Sequence, residues 1–311
     1  MKIKVKLLIS TIIIILFYHN SLSSLENKIV YKINNQIITS LDIEDEINYL
    51  LTLNPNLNNL NKNEILQISK RSIINEKIKK IEIEKFYEKS EIPEKYLEQL
   101  LVNVYSPIGI SNIEDFKKYI KTKNVSYQNI TSKITTEALW NEIIVLKFSS
   151  KIKINEKDLR KKIQNAKNKT LKSYLMSEIF FEVDEVKNLE KKYQEISKTI
   201  NAKGFANAAL KYSISQTSNI GGKLNWISEN SLNKKIKEKV NSIKNGEFTK
   251  PITVPGGFLI LKINETKIIQ ADIDAEKELK KIIKSLKNNQ LSQFSKMYFN
   301  KVKKDIKINE I

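Results

Sequence analysis

Tyr174-Leu-Met-Ser-Glu-Ile-Phe-Phe-Glu-Val183 is short, rich in aromatics and apolar on both of the faces that strand alternation defines. Such a stretch predicts a central strand covered on both sides by helices. From Asp184 to Ile200, Val186, Leu189, Tyr193, Ile196 and Ile200 recur at three- and four-residue steps, the stripe of an amphipathic helix. Phe205 to Ser213 predicts a second, shorter helix. In Asn219-Ile-Gly-Gly-Lys-Leu-Asn-Trp226 the paired glycines permit positive φ and close backbone approach. A helix around Asn233 to Ile243 follows, with Asn245-Gly246 as its left-handed stop. Thr249 to Ile263 predicts two strands about Pro255-Gly256, the residues of a type II turn. Residues 174–265 thus read as one α/β unit.

The order Phe205…Ala208, Ser213, Gly221-Gly222…Leu224…Trp226, Asn245-Gly246-Glu247…Pro251-Ile252, Gly256-Gly257-Phe258…Ile260…Lys262 resembles the parvulin family of peptidyl-prolyl cis-trans isomerases over this whole unit. The family carries a histidine on its first strand, in a pattern like Ser-His-Ile-Leu, and another on its last, in Gly-Tyr/Phe-His-Ile. Here the matching positions hold Glu178 and Leu259, and the Asp or Cys of the family's helix-end motif is matched by Ser215.

Prolyl isomerisation must lower a rotation barrier of about 18–20 kcal/mol, which needs a dry slot for the ring and polar groups for the twisted amide, but no nucleophile or metal. Leu232, Ile236 and Val240 match the family's apolar slot positions, and together with Phe258 they are the expected substrate-binding residues. Plain core packing is the competing account of Leu232 and Ile236. The polar side is replaced: Leu259 cannot hydrogen-bond, and Glu178 brings a carboxylate that must be desolvated or protonated. The plainer reading makes Glu178 a half-exposed strand residue without a role and Ser215 a helix-end or turn hydroxyl. The resemblance therefore implies a degenerate module with weak or no isomerase activity, for which no catalytic residue is expected.

Met1 to Ser23 reads as an export signal: Lys2, Lys4 and Lys6 precede an apolar run from Leu7 to Tyr18, and Ser21-Leu-Ser23 supplies small residues for cleavage after Ser23. Retention as a membrane anchor is the alternative. Cleavage removes His19, the only histidine, from a chain without cysteine, which excludes Ser-His-Asp and Cys-His catalysis, the usual zinc sites and any disulfide. The net charge of +19 falls to +16 with the three signal lysines. Apart from Arg71 and Arg160 the cations are lysines interspersed with Glu and Asp, without the aromatic-interleaved basic clusters of single-strand binders. No nucleic-acid partner is expected, and the chain has no Gly-x-x-x-x-Gly-Lys loop for a nucleotide.

Residues 24–150 predict a hairpin, Ile29–Ile33 and Gln36–Thr39 about Asn34-Asn35, and then helices. The first is capped by Ser40 and buries Ile43, Ile47, Leu50 and Leu51. Others run from Glu64 to Lys89, from Glu94 to Val104, after a Ser111–Glu114 capping box, and from Gln128 to Phe148, whose wide arc of Leu139, Trp140, Ile143, Ile144 and Leu146 demands burial on two sides. Residues 151–173 form a connecting segment with a helix from Asn155 to Lys169. From Asp274 to Lys304, within 266–311, Leu279, Ile282, Ile283 and Leu286, then Phe294, Met297, Tyr298 and Val302 after a phase slip, make a helix that cannot pack on itself.

The layout from Lys28-Ile-Val-Tyr-Lys-Ile-Asn-Asn-Gln-Ile-Ile-Thr-Ser-Leu-Asp42 onward resembles the SurA-type periplasmic chaperones, here with a single parvulin module. The implied fold class is α+β: a mostly helical core domain built from the N- and C-terminal segments, with one parvulin-like α/β domain inserted at 174–265. The implied function is ATP-independent binding of unfolded envelope or outer-membrane proteins in the periplasm, without cofactor and with membrane contact only during export. An active isomerase assisting exported proteins is the alternative, and an assembly partner of one envelope complex a third.

Overall fold

A computed structural model describes residues 27–165, 171–269 and 275–311. The expected export signal, with its cleavage point after Ser23, lies outside the described residues, as do 166–170 of the connecting segment. Strands β1 (Ile29–Ile33) and β2 (Gln36–Thr39) pair antiparallel about Asn34, whose φ of 50° is a geometry asparagine tolerates. Helix α1 (Ser40–Leu53) is capped by Thr39 rather than Ser40. The reciprocal carboxylate, Asp42, stands three places after Thr39, so only that register closes the capping box.

Helix α2 (Lys62–Ile83) opens on an Asn61/Glu64 capping box and stops short of the expected Lys89. Helix α3 (Glu94–Tyr105) leads to α4 (Ile113–Thr122), capped by Asn112 and not Ser111, because the Asn112 side chain accepts from the Asp115 N–H. Helix α5 (Tyr127–Phe148) is buried on two sides through Ile130, Leu139, Trp140, Ile143 and Ile144. Leu146, near its end, is 68% exposed and leaves the stripe. Helix α6 (Glu156–Asn165) is the described part of the connection.

In the α/β unit, β3 (Leu171–Phe181) is an interior strand as expected. Helices α7 (Leu189–Lys203) and α8 (Phe205–Tyr212) cover one face, where Ile179, Phe181 and Ile260 meet Ile196, Ile200, Phe205 and Ala208. Val186 is 75% exposed, since the α-helix starts only at Leu189 after a 3-10 turn. Strand β4 (Lys223–Ser228) and helix α9 (Lys234–Asn241) precede the hairpin of β5 (Ile252–Val254) and β6 (Gly257–Ile269), giving the antiparallel order β4-β3-β6-β5. Gly256 has the φ of 83° that the second central residue of a type II turn requires. Gly246 is not the stop of α9, which already ends at Asn241; its N–H bonds the Ile263 carbonyl in a later turn.

The C-terminal helix α10 (Ala275–Lys304) packs Leu279 and Ile282 on Leu159 and Ile163 of α6, then changes partner at the phase slip. Phe294 stacks on Phe148 with centroids 5.0 Å apart, Trp140 Nε1 donates to Ser295 Oγ at 2.9 Å, and Val302 enters the core beside Ile143 and Ile144. Met297, expected in the stripe, is 51% exposed. Strand β7 (Ile308–Glu310) then pairs antiparallel with β1, so β1 lies between the second and the last strand of the chain. Both ends of the chain therefore build the helical domain, and the fold is α+β.

The α/β unit docks on that domain through α8. Arg71 donates to the carbonyls of Lys211 (2.7 Å) and Leu210 (2.6 Å), the last turn of α8. Glu64 accepts from Lys203 (2.5 Å) and Lys211 (2.8 Å), and Leu210 is buried with Leu50, Leu57, Leu60 and Ile68. No helix among the described residues is long and apolar enough to cross a membrane.

Candidate functional site

The double glycine positions the site. Gly222 has φ 75°, and a Cβ there would stand 2.2 Å from the Glu178 carbonyl oxygen, so only glycine lets this loop cross β3. Glu178 N–H donates to the Gly222 carbonyl (2.7 Å), and Gly222 N–H to the Thr217 carbonyl (2.8 Å). One residue group upstream, Ile214 N–H donates to the Phe180 carbonyl (2.8 Å), and Phe180 N–H donates to Ser213 Oγ (3.1 Å). The segment 213–217 is thereby laid along β3.

That alignment brings two of the matched positions together. Ser215 and Thr217 both donate their hydroxyls to Glu178 Oε1, Thr217 at 2.9 Å, and the two hydroxyls are themselves 3.0 Å apart. Glu178 is a half-exposed residue of β3 and Ser215 a turn hydroxyl, accepting from the Thr217 N–H at the start of a 3-10 turn, both as expected; what the sequence did not show is that they are joined, a carboxylate held by two hydroxyls. Thr217 was not read from the sequence; its only signal is a second hydroxyl two places after Ser215. Leu259 is outside the cluster, buried in the sheet opposite Phe180.

The four expected lining residues do not share one surface. Leu232 and Ile236 pack, half-buried, on the face that carries Leu259, Leu261 and Phe180. Val240 is on the same face but fully buried (0% exposed), so it supports the floor and offers no contact surface. Phe258 points to the opposite face, against Phe181 with centroids 5.8 Å apart, because side chains alternate along β6 and Leu259 already takes the first face.

Helix α10 adds residues from outside the unit. Lys296 Nζ lies 3.8 Å above the centroid of the Phe180 ring, a cation–π contact. Burial lowers its pKa from the ordinary lysine value, against a smaller opposing attraction to Glu178. Met297 reaches the Gly256 turn, and Asn300 donates to the Glu182 carboxylate. Among the described residues no group of three His, Cys, Asp or Glu side chains could hold a metal ion. This face of the sheet thus carries half-buried Leu232 and Ile236, the carboxylate–hydroxyl cluster on β3 and a lysine over Phe180.

Residues 179–265 match the family model of the PPIC-type PPIASE domain, the rotamase family. The α/β unit is a PpiC-type parvulin module. Chaperone SurA of Pseudomonas aeruginosa is 21% identical over 188 residues, covering 57% of this chain and 44% of that protein. Chaperone SurA of Methylococcus capsulatus is 22% identical over 160 residues, covering 48% and 35%. The chain thus matches less than half the length of these curated relatives. Among solved structures, a PpiC-type peptidyl-prolyl cis-trans isomerase domain is 25% identical and covers 31% of this chain and 92% of that one, with a TM-score of 0.27. A SurA-like chaperone of Campylobacter jejuni is 17% identical and covers 92% and 99%, with a TM-score of 0.36. The likeness to SurA-type chaperones carried by the motifs is found again among the curated relatives.

Proposed function

We propose that the chain is an ATP-independent chaperone of the periplasm that holds unfolded envelope and outer-membrane proteins, using its parvulin module for contact rather than turnover. The observation that carries this reading is the replacement at the two histidine positions of the parvulin pattern: Leu259 is buried in the sheet and Glu178 is committed to Ser215 and Thr217. Half-buried Leu232 and Ile236 leave apolar surface beside them, which suits the apolar side chains of an extended client. The test is aggregation of a diluted, urea-unfolded outer-membrane barrel protein with and without an equimolar amount of the chain, in the absence of ATP. Suppression of light scattering is expected; unchanged scattering refutes the proposal.

A second reading, a slow prolyl isomerase, is favoured by the Glu178–Ser215–Thr217 cluster, which supplies polar groups beside an apolar slot. A tenfold acceleration requires only about 1.4 kcal/mol of barrier lowering. Proline-limited refolding of a reporter protein decides it: acceleration by the full chain that disappears in Glu178→Gln establishes the second reading, and no acceleration leaves the first.

A further inference from the structure

From Leu279 to Lys304 the C-terminal helix holds eight lysines and no Asp or Glu. In its first half Lys277, Lys280, Lys281, Lys284 and Lys287 follow one another at steps of one and three. At 3.6 residues per turn they fall within an arc of about 120° along about 15 Å of helix. All five are exposed. Leu279 and Ile282, on the opposite side, are buried against Leu159 and Ile163 of α6, and this packing fixes the direction in which the lysines point. Glu276, at the head of the helix, is turned toward α6 and held by Arg160. Lysine is common throughout the chain, but elsewhere carboxylates answer it: Lys203 and Lys211 share Glu64, Lys79 meets Glu137, and Lys133 meets Glu46 and Glu76. Among the described residues no ion pair neutralises Lys280, Lys281, Lys284 or Lys287.

We infer that this lysine arc is a docking surface for an anionic phospholipid bilayer, which would hold the chain at the membrane surface after export is over and not only while it lasts. A lysine that reaches a layer of anionic headgroups strengthens binding by about fivefold at low salt, so a row of four or five gives measurable partition without any inserted apolar group. Between Lys277 and Asn288 the arc contains no apolar or aromatic side chain, whereas a protein partner would need a buried anchor at the centre of its contact. Ammonium groups on flexible stems are point charges that suit many mobile phosphodiesters, and the defined fork of an arginine is missing from the arc. The same lack of arginine and aromatic rings disfavours a nucleic-acid strand. Attraction of this kind acts through solvent and fades as salt rises.

The test is co-sedimentation with vesicles of phosphatidylcholine, either alone or with about a third of phosphatidylglycerol, at about 0.05 M and about 0.5 M salt. It uses the chain from Ser24 onward, which contains every described element and lacks the apolar leader that could insert by itself. At the lower salt, partition onto the anionic vesicles is expected to exceed that onto the neutral ones by about tenfold or more, and at the higher salt the two should converge. The combined Lys280→Gln, Lys284→Gln and Lys287→Gln variant should lose about tenfold or more of the anionic partition. The same loss of charge at exposed Lys95, Lys121 and Lys123 of the helical domain should cost less than about threefold, with melting temperatures used to confirm folding of both variants. Equal partition of the unaltered chain onto both kinds of vesicle, or onto neither, overturns the inference without any variant. So does anionic partition retained in the folded α10 variant. An equal loss in the two variants also overturns it, since the attraction would then belong to the net charge of the whole chain. Binding of soluble polyglutamate through the same three lysines while vesicles are ignored would make the arc a site for acidic polypeptides and refute the membrane partner. Aggregation of an unfolded client is read separately, so failure of the chaperone reading and failure of this one are distinguishable.

Discussion

Phe148 at the end of α5 and Phe294 in α10 stack at 5.0 Å with ring planes 5° apart, and this contact is where the two halves of the helical domain meet. A fully buried Phe→Ala change costs about 3–5 kcal/mol. Both rings are half-buried, so each single substitution is expected to cost about 2 kcal/mol. For a domain of this size that is a fall of about 4–8 °C in Tm. The stack itself contributes about 0.5–1.5 kcal/mol beyond area, so the double variant should be less destabilised than the sum by roughly 1 kcal/mol. Phe148 also meets Tyr298 edge-on at 5.8 Å, which leaves part of its cost outside the cycle. Urea denaturation of the wild type, Phe148→Ala, Phe294→Ala and the double variant supplies the four free energies. Strict additivity, within about 0.3 kcal/mol, would refute the claim that the C-terminal helix closes onto the N-terminal half.

Gly222→Ala places a methyl group against the Glu178 carbonyl at a φ of 75° and should unfold the module, with loss of the near-ultraviolet circular dichroism of Trp226 as the readout. Burial pushes the Glu64 carboxyl up, but hydrogen bonds from Lys203 and Lys211 outweigh it and hold the pKa at about 2, below the usual 4.5. A depressed carboxylate contributes stability that is present above the unfolded value and lost as pH falls through the folded one. Docking of the module, followed by energy transfer between dyes on α2 and α7, should therefore weaken from about pH 4.5 down to about 2, and Glu64→Gln should abolish that dependence. Arg71→Met removes two charge-assisted bonds to the end of α8, each worth about 1.5–3 kcal/mol, and should undock the module in small-angle scattering while the secondary structure is retained.

The order of elements in the parvulin module was legible because glycines, turns and apolar strands carry their geometry locally. Gly221-Gly222 and Pro255-Gly256 announce the turns they make, and the alternation of β3 places its faces. Phe258 was misplaced for the converse reason: motif matching ignores which face a strand residue takes, and one step along β6 reverses it. Thr217 and Lys296 were invisible because they reach Glu178 from 39 and 118 positions away, through a 3-10 turn and a helix whose docking no local pattern records. Strand β7 is three residues long, below the length at which alternation is detectable, and only its partner β1 defines it. Cap positions slipped by one residue where two polar candidates stood side by side, Thr39 beside Ser40 and Ser111 beside Asn112, and the reciprocal side chain three places on chose between them.

Strand β1 is made early, at Ile29–Ile33, but its second neighbour arrives with Ile308–Glu310. A polypeptide emerging amino end first must therefore carry its opening hairpin with one edge bare until residues 308–310 have followed. The parvulin module, whose strands all lie within 171–269, has its complement of partners well before then. Folding should accordingly be inside-out, the middle of the chain maturing before the flanks that enclose it, and the unfinished flanks would themselves be a transient client for any holdase nearby.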